Sequence, residues 1–175
     1  MQILPQDDSA RAHIRTALSV LSCILSALPF YGYDPRLINY TGLFHERPFV
    51  TFACLLIPLC VMTYRFELAW RTYLQEGRKE LWFMLGMILV LLVIPYHPEE
   101  DFFSGLHVLM GFLVFLNLNR LFFKLYVFHP SAFSFYLGGT VFAFFTALLT
   151  FNINGWSELV YAFVLNIFLD LLSRR

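Results

Sequence analysis

The chain has 175 residues, of which 59% are hydrophobic, 19% aromatic and only 14% charged, with a formal net charge of zero. A soluble domain carries about 25% charged residues, so this composition excludes an ordinary water-solvated domain, and the balanced charge gives no reason to expect a nucleic-acid partner. The three cysteines, Cys23, Cys54 and Cys60, all lie in apolar runs without CxxC spacing, so neither a zinc site nor a disulfide framework is expected and they read as small packing residues.

Six apolar runs follow one another along the chain. A polar segment with Asp7, Asp8, Arg11 and Arg15 precedes the first run, 14–31. This run is read as a span and not as a cleaved leader, because the rest of the chain is equally apolar and no small-x-small site precedes Tyr31. Ser19, Ser22 and Ser26 recur at helical spacing and offer a small face for close packing. A loop is expected over 31–47, with Gly32, Asp34-Pro35, Gly42, His45 and Glu46. Pro48 then stands where a helix begins, since its missing N–H costs nothing there. The second run, 49–64, is short for a ~30 Å hydrocarbon core and contains Pro58, which is expected to kink it.

The most charged segment, 65–80, is flanked by Trp70, Tyr73 and Trp82, residues typical of a membrane interface. The third run is 81–96. After it comes HPEEDFFSGLH, with three consecutive acids, two histidines and no basic residue. The fourth run, 102–118, ends at Asn117, Asn119 and Arg120. The fifth, 131–151, carries Gly139, Ala143 and Ala147 at four-residue intervals, a small-xxx-small packing face. The sixth, 156–172, ends near Arg174-Arg175. None of the runs alternates strictly, which argues against barrel strands. The expected fold is all-α, a polytopic transmembrane bundle forming one integral domain over 1–175.

Charge placement gives the orientation. With six spans and a cytoplasmic N-terminus, only Arg36 and Arg47 fall outside. The other ten of the twelve basic residues (Arg11, Arg15, Arg65, Arg71, Arg78, Lys79, Arg120, Lys124, Arg174 and Arg175) fall inside. That is the distribution the positive-inside rule favours, so both termini are expected to be cytoplasmic.

This topology gathers unusual polar groups on the outer side. His97, Glu99, Glu100 and Asp101 form an acidic mouth, Ser104, His107 and Gly111 share one face of the fourth run, and Glu158 lies near the outer start of the sixth. An ionisable group within a span is a candidate site by default. His107 and Glu158 are therefore expected to approach each other in an outer vestibule, overhung by Glu99, Glu100 and Asp101. The plainer alternatives stay open: the acids as solvated loop groups, His107 as a helix-to-helix hydrogen-bonding group, and Glu158 as a cap. Asn166 lies mid-span and is expected to bond across helices, and Asp170 stands four residues before Arg174, a spacing that suits an ion pair. No HExxH, glycine-rich phosphate loop or nucleophile elbow is present, and His97, Glu99, Asp101 and His107 are too loosely spaced to specify a metal. No catalytic set, metal or cofactor is expected.

The S-x-x-H of Ser104 and His107, followed by the E-x7-N-x-F of Glu158, Asn166 and Phe168, resembles the DRAM/FRAG/Sfk group of six-helix membrane proteins. The resemblance covers the last three runs. It implies a six-helix bundle with cytoplasmic ends and a role in lipid remodelling and membrane organisation. Three functions are weighed. The first is a non-enzymatic membrane protein whose outer vestibule binds a lipid headgroup or small ligand through His97, Glu99, Glu100, Asp101, Ser104, His107, Glu158 and Asn166. The second is a self-assembling effector or accessory protein, of a defence or toxin-immunity type, that forms or blocks a pore. The third is a lipid-modifying enzyme using His107 and Glu158. The expected partners are membrane lipids, with a second copy or a membrane partner protein for the self-assembling reading.

Overall fold

The structure, a computed structural model, describes residues 8–74, 79–93, 101–150 and 153–173. Among these there are seven α-helices, one 3-10 turn and no strand. α1 spans Asp8–Ala27 and passes into the 3-10 turn Leu28–Phe30 at Pro29. The serine face expected on α1 is turned inward: Ser22 and Ser26 are buried, and α1 packs on the third and seventh helices.

The expected loop over 31–47 is corrected: it contains a helix, α2, Tyr40–Glu46. Asn39 caps it, its side-chain oxygen accepting the Gly42 N–H at 2.9 Å, which supplies a partner for an otherwise orphan first-turn donor. Leu43 of α2 is completely buried with Phe30 and Leu159. Arg47, at φ −139° and ψ 64°, breaks the chain between α2 and α3. Pro48 forces that break by excluding helical backbone from the residue before it, and itself opens α3, Pro48–Tyr73.

α3 runs nine residues beyond the expected end at 64, straight through Arg65, and keeps Pro58 in its interior. Arg65 does not end the helix because it is buried and paired, as described below. The rest of the extension, FELAWRTY, suits a helix, with Arg71 donating to Glu67 one turn earlier at 2.7 Å. α4 spans Lys79–Val93. α5 spans Asp101–Leu125 and likewise overruns its expected end at 118. Its late polar residues are absorbed along the helix: the Asn119 amide donates to the Phe115 carbonyl at 2.8 Å, Arg120 donates to Asn117 at 3.1 Å, and Arg120 and Lys124 both reach Glu80 of α4 at 3.4 Å. α6 spans Pro130–Thr150 and α7 Gly155–Ser173, close to the expected runs.

Five of these helices are long and apolar enough to cross a membrane. Half of the α7 span is buried inside the molecule, against 17–28% for the other four, so α7 is the central helix. Phe66 and Trp70 of α3, Phe122 of α5 and Phe168 of α7 form the core with Tyr136 of α6. The Phe122 ring meets Phe168, Tyr136 and Phe66 edge-on at 4.9, 5.0 and 5.5 Å, an arrangement aromatic quadrupoles favour. The outer surfaces carry exposed Leu, Phe, Val and Ile, as a lipid-solvated bundle requires.

The two ends of the bundle differ chemically. One end joins the start of α1, the ends of α3, α5 and α7 and the starts of α4 and α6, and holds Arg15, Arg65, Arg71, Lys79, Arg120 and Lys124. There the Tyr73 hydroxyl lies 2.7 Å from His129 Nε2 and donates to the Leu172 carbonyl at 3.4 Å. The other end is built from α2 and its flanking turns, the start of α5 and the start of α7. The basic residues described there are Arg36 and Arg47, the latter stacked over Tyr33 at 4.6 Å.

A candidate functional site at the α2 end

Glu158 is set in place by the way α7 begins. Asn154 caps the helix by accepting the Ser157 N–H at 2.9 Å, while the Ser157 hydroxyl oxygen accepts the Asn154 N–H at 3.2 Å. This reciprocal pair settles two first-turn donors and puts Glu158 in the first turn of α7. The segment before α2 is pressed against that turn. Gly155 N–H donates to the Ile38 carbonyl at 2.9 Å, and the Asn39 amide donates to the Ile153 carbonyl at 3.3 Å. The fit demands glycine, since a Cβ at position 155 would lie 2.2 Å from the Phe30 ring and 2.6 Å from the Ile38 carbonyl oxygen.

Two consecutive residues of α2 then reach the two ionisable groups. Tyr40 N–H donates to the Glu158 carboxylate, and the Thr41 hydroxyl lies 3.4 Å from His107 Nε2. The Tyr40 ring points the other way, its hydroxyl donating to the Ser26 carbonyl of α1 at 2.7 Å. Burial first, and the nearness of Glu158 second, push the Tyr40 phenol well above its ordinary range, so it serves as a neutral donor.

His107 and Glu158 line one cavity of about 370 Å³ with Asn39, Thr41 and Ser157. Its walls are otherwise mostly apolar: Leu91 of α4, Val108, Phe112 and Phe115 of α5, Ala143, Phe144 and Ala147 of α6, and Ile153. The Phe115 and Phe144 rings meet edge-on at 5.3 Å. The Tyr161 hydroxyl at the wall lies 3.0 Å from that of Tyr136, which donates to Asn119 at 3.0 Å, so a hydroxyl chain runs from the cavity into the core. The volume lies within the ~300–1,000 Å³ of ligand pockets, and the pattern of apolar walls with a few convergent polar groups is theirs too.

The remaining expected site residues are placed as follows. Gly111 lines the cavity. Ser104 lies one turn before His107, half-buried and away from the cavity wall. Asp101 opens α5, while His97, Glu99 and Glu100 lie outside the described residues. Among the described residues no group of three His, Cys, Asp or Glu stands together for a metal.

Asn166 belongs to a second polar cluster, two turns further along α7. Its oxygen accepts from Arg65 Nη1 at 2.8 Å, and its amide donates to the Ser19 carbonyl at 2.8 Å and to Cys23 Sγ at 3.2 Å. Arg65 Nη2 also donates to the Arg15 carbonyl at 3.0 Å and to Ser19 Oγ at 2.8 Å, and lies 3.2 Å from Asp170. The expected partner of Asp170, Arg174, lies outside the described residues; the partner the structure gives it is Arg65. Arg65 and Asp170 thus form a buried pair between helices far apart in sequence.

Asn39, Thr41 and Tyr161 are cavity residues that the sequence reading missed. Asn39, a residue type favoured at helix N-caps, is the one local hint of α2. Tyr161 carries no such signal; it stands one turn after Glu158 and is read as packing until the cavity is seen. Comparison with protein families, curated proteins and solved structures returned no match, so the site rests on its own geometry.

Proposed function

We propose that this is a small, non-enzymatic membrane protein of six spans with both termini cytoplasmic, whose α2-end cavity faces the outer side and binds a lipid headgroup or small ligand. The observation that carries the reading is the cavity itself, mostly apolar and lined by both the Glu158 carboxylate and the His107 imidazole. The segregation of basic residues to the opposite end supports the orientation, since it is the cytoplasmic ends that collect Lys and Arg. The resemblance of Ser104, His107, Glu158, Asn166 and Phe168 to the DRAM/FRAG/Sfk group is consistent with the same architecture.

Filling the cavity tests the reading. Ala147→Phe places a ring into the space while leaving both ionisable groups untouched. Lipids retained through purification in mild detergent are identified by native mass spectrometry. A lipid or metabolite held by the wild type and lost from Ala147→Phe, at similar thermal stability of the two proteins, is the expected result. Equal retention by both would show that the cavity is not where ligands bind.

A further inference from the structure

Glu158 is a carboxylate on the wall of an apolar cavity, and no basic side chain among the described residues pairs with it. The described residues include ion pairs of Asp170, Glu67 and Glu80, all towards the opposite end. One Glu158 oxygen is occupied by the Tyr40 N–H. An ionised carboxylate in such surroundings is costly unless an opposite charge joins it. Among the described residues, Val108 and Phe112 of α5 and Phe144 of α6 line the cavity and are 54%, 55% and 51% exposed, so apolar exposed side chains of α5 and α6 border it. The Phe115–Phe144 contact lies in the same wall.

We propose that the cavity takes a single-chain amphiphile with a protonated primary amine, which enters from the bilayer between α5 and α6. Its ammonium group meets Glu158 and the Tyr161 hydroxyl, and its chain lies along Phe112 and Phe144. A primary ammonium brings three donors and a positive charge that no basic side chain among the described residues supplies to Glu158. An anionic head would set two like charges together at Glu158, and a neutral alcohol would bring a donor but leave the charge uncompensated. The proposal rests on the reading that this cavity is the ligand site, and it narrows that reading to one head-group class.

The test uses the full chain in phosphatidylcholine nanodiscs, with dodecylamine, dodecanol and dodecanoate as probes and bound copies counted by native mass spectrometry. The expected result is an affinity for the amine at least about tenfold above those for the alcohol and the carboxylate, the worth of one charge-assisted hydrogen bond. Glu158→Gln keeps an acceptor for the Tyr40 N–H and should erase the preference, leaving amine and alcohol alike. Should that variant fail to fold, the wild-type ranking of the three probes decides alone. A lysolipid with an ethanolamine head separates two sources of the same group: binding as tight as that of the amine points to a membrane lipid, and binding tenfold weaker to a free amine. Equal affinities for amine and alcohol, or a preference for dodecanoate, would overturn the head-group class while leaving the cavity as a binding site. Binding of all three probes that is unaffected by Ala147→Phe would instead overturn the cavity reading itself.

Discussion

Arg65 is 3% exposed and Asp170 also 3%, so the two charges are removed from solvent together. Such a pair is worth little against an apolar pair of equal volume, but breaking it is severe, because the partner left behind is a buried, uncompensated charge. Arg65→Met should therefore destabilise the protein by ~3–5 kcal/mol, while Arg65→Met combined with Asp170→Leu should recover a large part of the loss. Unfolding midpoints in detergent check both, and a double variant no better than the single one would show that the hydrogen bonds to Asn166 and Ser19 matter more than the charge pair. The sequence around Arg65 could not disclose this role. An arginine after an apolar run is ordinarily an interface residue, and its partners here come from α1 and α7, the latter 101 residues away at Asn166. His107 and Glu158 were legible for the opposite reason: each interrupts an apolar run, and a shared depth follows from counting residues from the same end.

At the scale of elements, helices were legible wherever an apolar run was long, and α6 and α7 needed only small changes to their ends. α2 was not legible beyond a single cap residue, because seven residues with a glycine at the third look like loop, and what holds them is a cap from Asn39 and contacts to α7. Gly139 marks a tight crossing of α6 and α7. A Cβ there would lie 2.4 Å from a Val164 methyl of α7, and Ala143, one turn on, is buried at the cavity wall. Ala147, a further turn on, opens into the cavity, so the small-residue face is shared between packing and site. Gly139→Leu should force α6 and α7 apart and cost ~1–3 kcal/mol, as overpacking does. A thermal midpoint unchanged by that substitution would mean that the crossing is looser than the structure describes.

For the whole molecule, the proposed six-span arrangement makes an accessibility prediction. In a background with Cys23, Cys54 and Cys60 replaced, Glu100→Cys should react with an impermeant maleimide from outside intact cells, and Gly77→Cys only after permeabilisation. Reversed labelling, or the same side for both, would dismiss the topology. The Arg65 cluster also bears on how such a chain is made. Synthesis proceeds at ~5–20 residues per second, so about 5–20 s separate the emergence of Arg65 from that of Asn166. Through that interval the guanidinium needs polar company that precedes it in the chain, since an arginine within a span is costly. The Arg15 carbonyl and the Ser19 hydroxyl on α1 supply it, 50 and 46 residues earlier in the chain. The first and third helices thus carry their own provisional harbour for a charge whose permanent counterion, Asp170, emerges only with α7.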